Sequence, residues 1–115
     1  MDERLEKAFQ TANYMSTLSN MRKVAFEEFQ QSLIFYYRGS SFTVTRELMT
    51  FVKLLIDQGL EDSILLDDNN IPSKVYDLQS FLKELQSIYT TATNDYLVKY
   101  NDIKSKRQVA GLVDL

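Results

Sequence analysis

A chain of 115 residues that is 44% hydrophobic, with seven Phe, seven Tyr, three Gly and one Pro, can bury one real core; this composition argues against a wholly disordered polymer. Thirteen Lys and Arg against sixteen Asp and Glu leave a net charge of −3, so no uniform attraction to polyanions is expected, although a local basic patch is allowed. The absence of Cys and His excludes disulfides, thiol nucleophiles, imidazole bases and Cys/His metal clusters.

The opening segment MDERLEKAFQ is charged and lacks the apolar core of a signal peptide, and no apolar run approaches the roughly 20 residues that span a bilayer as a helix. The expectation is a soluble, cytoplasmic protein without membrane association. A Cys-free composition is compatible with a reducing compartment.

In chain order, the spacing predicts a long helix over residues 2–37, with a bend near MSTLSN. Leu5, Ala8, Ala12 and Met15 share a 3-and-4 spacing, which resumes with a shifted phase at Met21, Ala25, Phe29, Leu33 and Tyr36. Ser16, Thr17, Ser19 and Asn20 weaken helix preference locally by competing for backbone hydrogen bonds. Gly39 is placed to end this helix in the left-handed conformation, and residues 41–44 are read as extended. Thr45 is the predicted N-cap of a second helix over residues 46–58, with Val44 and Met49 as a hydrophobic staple and Gly59 as its end. Leu48, Phe51, Val52, Leu55 and Ile56 form its apolar face.

The segments SILL and IPSKV flank DDNN and are read as short arms of a small hairpin or an ordered loop, with Pro72 suited to a strand start. Asp77 then caps a third helix over residues 78–106, with Tyr76 and Phe81 in the staple positions. Leu78, Leu82, Leu85, Tyr89, Ala92, Tyr96 and Ile103 follow a heptad-like progression with Lys99 interposed, and Phe81, Ile88 and Tyr100 broaden that face. This helix can pair with the first within one chain or with a second subunit. The expected fold is mainly α: one helical domain over residues 1–115, a small bundle of two long helices and one shorter helix with a small β-hairpin. Residues 108–115 are read as a tail that is flexible, docks on the core or binds a partner.

Asp67 and Asp68 are the residues nearest to a catalytic or metal cluster, since paired carboxylates and the Asn69 or Asn70 carbonyls suit a hard cation. Neighbouring side chains in an extended segment point apart, and the Gly and terminal Glu of an EF-hand are missing, so the loop is read as a solvated turn. Glu27 and Glu28 are read as solvent-facing charges, and no Ser or Thr has an activating motif. Gly39, Gly59 and Gly111 are isolated and form no phosphate-binding loop. No enzyme activity, metal or cofactor is expected.

The leading expectation is a non-enzymatic interaction, assembly or structural component, with a protein partner or a second copy of the chain as its partner. Tyr89, Tyr96 and Tyr100 would supply contact area, and Val109, Leu112 and Val113 a terminal apolar anchor. The alternative is a nucleic-acid-associated accessory protein that contacts phosphates through Lys104, Lys106 and Arg107, with Tyr96 and Tyr100 nearby for stacking. A structural explanation competes: these cations also suit the negative end of a helix, and Asp102 and Lys106 have ion-pair spacing.

Overall fold

The computed structural model describes residues 2–113, with side chains through residue 107. Its elements in order are α1 (Glu3–Ser32), β1 (Ile34–Tyr37), β2 (Ser40–Thr43), α2 (Arg46–Asp57), β3 (Ser63–Leu66), β4 (Pro72–Val75) and α3 (Leu78–Val113). The fold is mainly helical, with two long helices, one shorter helix and two antiparallel hairpins, β1–β2 and β3–β4. The backbone forms two compact units, one made of residues 30–93 and the other of residues up to Phe29 together with those from Asn94 onward.

In the first of these units the chain leaves the helix at Ser32, five residues before the predicted end at Tyr37. The four residues Ile-Phe-Tyr-Tyr are β-branched or aromatic and suit a pleated surface. Arg38 and Gly39 have φ of 47° and 83°, and positive φ at both positions of a two-residue loop gives the turn that matches strand twist. Gly39 therefore closes a hairpin, not a helix. Phe35 pairs with Phe42 and Tyr37 with Ser40, and the Val44 amide donates to the Leu33 carbonyl at 2.8 Å just beyond the ladder.

Thr45 is extended and its Oγ1 accepts the Leu48 amide at 3.0 Å, which fixes the start of α2 as its sequence predicted. The helix closes with the Leu60 amide on the Leu55 carbonyl and the Gly59 amide on the Ile56 carbonyl, while Gly59 takes a φ of 87°. This paired closure satisfies carbonyls that the helix end would otherwise leave open. Val52 is fully buried and Leu48, Leu55 and Ile56 are half-buried, whereas Phe51, predicted for the same apolar face, is exposed at its edge.

The second hairpin has the predicted arms, with Ile64 opposite Lys74 and Leu66 opposite Pro72. Leu65 and Val75 point inward, and Ile64 and Leu66 outward. Asp77 caps α3: its Oδ1 accepts the Ser80 amide at 3.1 Å and its Oδ2 the Ser80 hydroxyl at 2.9 Å. Phe81, on the first turn of α3, meets Phe42 and Tyr37 edge-on at ring-centroid distances of 5.3 and 5.4 Å and Phe35 at 5.7 Å. Leu78, Phe81 and Leu85 are buried, so one face of α3 completes the core beneath the strands.

In the other unit, α1 and the later part of α3 lie antiparallel. The Tyr14 hydroxyl donates to the Lys106 carbonyl, the Lys99 ammonium pairs with Glu28, and Tyr96 packs on Phe29 and Phe26. Leu18, Ala25 and Ile103 are buried, with Met15 and Met21 against them. The inward side of α1 runs Thr11, Met15, Leu18, Met21, Ala25 and Phe29, a spacing of threes and fours that includes the predicted Met15, Met21, Ala25 and Phe29, while Arg22 is exposed beside it. α1 is continuous through Met15–Asn20, where the Thr17 hydroxyl donates to the Asn13 carbonyl and so satisfies itself within the helix. Leu5, Ala8 and Ala12, predicted for the apolar stripe, are exposed. α3 continues past the predicted end at Lys106 to Val113.

Candidate functional site

The acidic loop between β3 and β4 resolves into two separate hydrogen-bonding tasks. Asp67 is buried, and its Oδ1 accepts the Asn69 and Ile71 amides, each at 2.9 Å. Its own amide donates to the Ile71 carbonyl, and the Asn70 amide donates to the Asp67 carbonyl while Asn70 sits at a φ of 61°. Asp68 turns toward the other hairpin. Its Oδ1 accepts the Thr43 amide and its Oδ2 the Thr43 hydroxyl, both at 2.9 Å, and its amide donates to the Ser41 carbonyl at 2.8 Å.

A hydroxyl–hydroxyl hydrogen bond between Ser40 and Ser73 joins the same two hairpins a second time. The loop is thus a turn, but only partly a solvated one: Asp67 organises its own backbone and Asp68 fastens β3–β4 to β2. The two carboxylates do not converge on a common point. Among the described residues no group of three or more acidic side chains is placed to hold a metal ion.

The basic residues divide differently from their order in the chain. Lys106 pairs with Asp102 at 3.2 Å, the i,i+4 contact anticipated from the spacing. Lys104 and Arg107 instead line a cavity of about 290 Å³ between α3 and α1, together with Arg22, Tyr100, Ser19, Met15, Leu18 and Ile103. The Arg22 guanidinium lies 5.9 Å from the Tyr100 ring centroid. The pairing of helices therefore brings Arg22 to Lys104 and Arg107, a convergence that reading each basic stretch by itself does not reveal. No local spacing signals that meeting, because Arg22 lies far from Lys104 and Arg107 in the sequence.

Comparison with protein-family models, curated proteins and solved structures gave no match. The functional reading therefore rests on geometry. No helix among the described residues is long and apolar enough to cross a membrane.

Of the tyrosines assigned to contact, Tyr89 is half-buried, and Tyr96 is half-buried among Phe26, Phe29 and Tyr100 at 5.9, 5.0 and 6.3 Å. Tyr100 is exposed beside the cavity. The predicted anchor Val109, Leu112 and Val113 lies outside the described side chains. Two exposed apolar groups were absent from the sequence reading as sites: Leu97 and Val98 on α3, and Ile64, Leu66 and Ile71 on and beside β3. The Ser80 amide and then its hydroxyl hold the Asp77 carboxyl below its ordinary range, against an opposing effect of burial and with smaller help from the Gln79 amide and Lys83.

Proposed function

We propose that the chain is a non-enzymatic interaction or assembly component that offers apolar side chains to another protein. The observation that carries this reading is β3: Leu65 faces the core, yet the outward Ile64 and Leu66 are also apolar, 65% and 63% exposed, with Ile71 exposed at the loop. A strand in a two-stranded hairpin needs only one apolar face to fold, and polar residues ordinarily occupy the other. Apolar side chains on both faces are accounted for when the outer face is covered by a partner. The acidic loop supports the same reading, because its carboxylates hold the hairpin in place and leave it a presenting element.

The test places a photoreactive amino acid at position 64 in the full chain and measures cross-linking, with light scattering across a wide concentration range to tell self-association from a different partner. The expected result is a saturable protein adduct that disappears with Leu66→Lys and Ile71→Lys while helix content is unchanged. Absence of any saturable adduct, or one indifferent to those substitutions, would overturn the proposal.

A further inference from the structure

The cavity between α1 and α3 differs from its neighbour in how its charges are met. A second cavity further along the same helix pair, of about 280 Å³, is lined by Glu28, Lys99 and Asp102, and there Lys99 is paired with Glu28 and Asp102 with Lys106. Around the first cavity stand Arg22, Lys104 and Arg107, with no acidic residue in its lining and no carboxylate within ion-pair distance among the described residues. Three cations that line one cavity repel, and the core beside them is already filled by Met15, Leu18, Met21 and Ile103, so helix packing does not require them there. An anion in the cavity relieves that repulsion.

The walls specify the rest of that anion. Met15, Leu18 and Ile103 give an apolar floor, and Tyr100 contributes an exposed aromatic ring. Guanidinium groups prefer the forked oxygens of phosphate, and an aromatic side chain with an apolar floor prefers a flat ring. A volume near 290 Å³ lies just under the range for small-ligand sites, about 300–1,000 Å³, and so suits only a small ligand. A nucleic-acid strand fits less well. Such a strand needs a basic track with successive stacking platforms, whereas this cavity has one exposed tyrosine on a chain of net charge −3.

We infer that the cavity lined by Arg22, Tyr100, Lys104 and Arg107 binds a planar phosphomonoester of the size of a nucleoside monophosphate, with its phosphate on the three cations and its ring against Tyr100 and the apolar floor. The site is independent of the hairpin face proposed above, so the two stand or fall separately.

The test titrates the full chain with adenosine 5′-monophosphate by calorimetry at low salt and follows amide resonances by NMR to localise the contact. Saturable binding is expected, with shifts centred on Ser19, Arg22 and Tyr100. Adenosine and inorganic phosphate should each bind about tenfold more weakly, because each lacks one half of the recognition. Arg22→Gln and Arg107→Gln should each weaken binding about tenfold, while Lys106→Gln, whose ammonium already has a carboxylate partner, should stay within about twofold. Far-UV circular dichroism checks that each variant keeps its helix content. No saturable binding, equal binding of inorganic phosphate or of adenosine, or indifference to Arg22→Gln and Arg107→Gln would overturn the inference. So would a thymidine oligomer whose affinity climbs with length and falls with a salt slope of several phosphates, which would reassign the cations to a strand.

Discussion

Replacing Asp67 with Ala distinguishes an organising carboxylate from a surface turn. In the native loop a single oxygen accepts two backbone amides, those of Asn69 and Ile71, and the residue is 7% exposed. Hydrogen bonds to a charged acceptor contribute about 1.5–3 kcal/mol each when net of solvent. Both amides belong to exposed residues, so water recovers part of the loss, and Asp67→Ala is expected to cost about 2–4 kcal/mol. For a domain of this size that lowers the melting temperature on the order of 10 °C. Asp67→Asn retains an acceptor oxygen in the same place and gives up only the charge, so its cost is about 1 kcal/mol.

Urea unfolding monitored by far-UV circular dichroism measures both variants, with the slope checked to be unchanged so that the midpoint shift reads stability. Repeating the measurement with millimolar Ca²⁺ or Mg²⁺ tests the competing ion-site reading. An ion bound at about a hundred times its dissociation constant would stabilise the parent by about 2.7 kcal/mol, and Asp67→Asn would abolish that gain. The expectation is no cation-dependent shift. A cost for Asp67→Ala below about 0.5 kcal/mol, or a cation shift of the size just given, would refute this account of the loop.

Phe81→Ala, which removes a buried ring touching three other aromatic rings, should cost about 3–5 kcal/mol in the same assay, whereas Phe51→Ala, on the exposed side of α2, should cost about 0.5 kcal/mol or less. Thr45→Ala removes the cap on the Leu48 amide and should cost about 1 kcal/mol, with Thr45→Ser recovering most of it by thermal denaturation. Asp77 has a folded-state pKa below its ordinary value of 3.8, so its cap stabilises the fold above that pH and the contribution disappears as pH falls through the depressed folded value. Acid titration of Asp77→Asn should therefore lack that component of the parent's loss of stability, and an acid limb of identical steepness in the two proteins would show that the cap does not titrate as described.

Local chemistry left clear marks in the chain. Thr45 and Asp77 were legible as caps because a short oxygen-bearing side chain ahead of an apolar run satisfies amides that no helix can satisfy for itself. The arms around DDNN were legible because turn-forming residues separate two short runs of strand formers. The first hairpin was hidden by a coincidence of period: Leu33 and Tyr36 continue a 3-and-4 spacing from the helix, and Gly39 serves a helix end or a two-residue turn equally well. Pairing of Phe35 with Phe42, and the packing of both rings on Phe81, selects the strand.

The same division holds for the candidate site. Composition by itself removed cysteine and histidine chemistry, and spacing by itself paired Asp102 with Lys106. Apolar spacing found Met15, Met21, Ala25 and Phe29 on the inward side of α1, but it also placed Leu5, Ala8 and Ala12 in the stripe, and these are exposed. Only α3, lying antiparallel with Ile103 against Leu18 and Ala25, decides which face of α1 is inside. That same contact gathers Arg22, Lys104 and Arg107 from opposite ends of the chain, and it leaves Lys106 to its own helix. Local propensity acts over one or two turns and is written residue by residue; the meeting of distant cations is a property of packing, and it exists only once the two helices are paired.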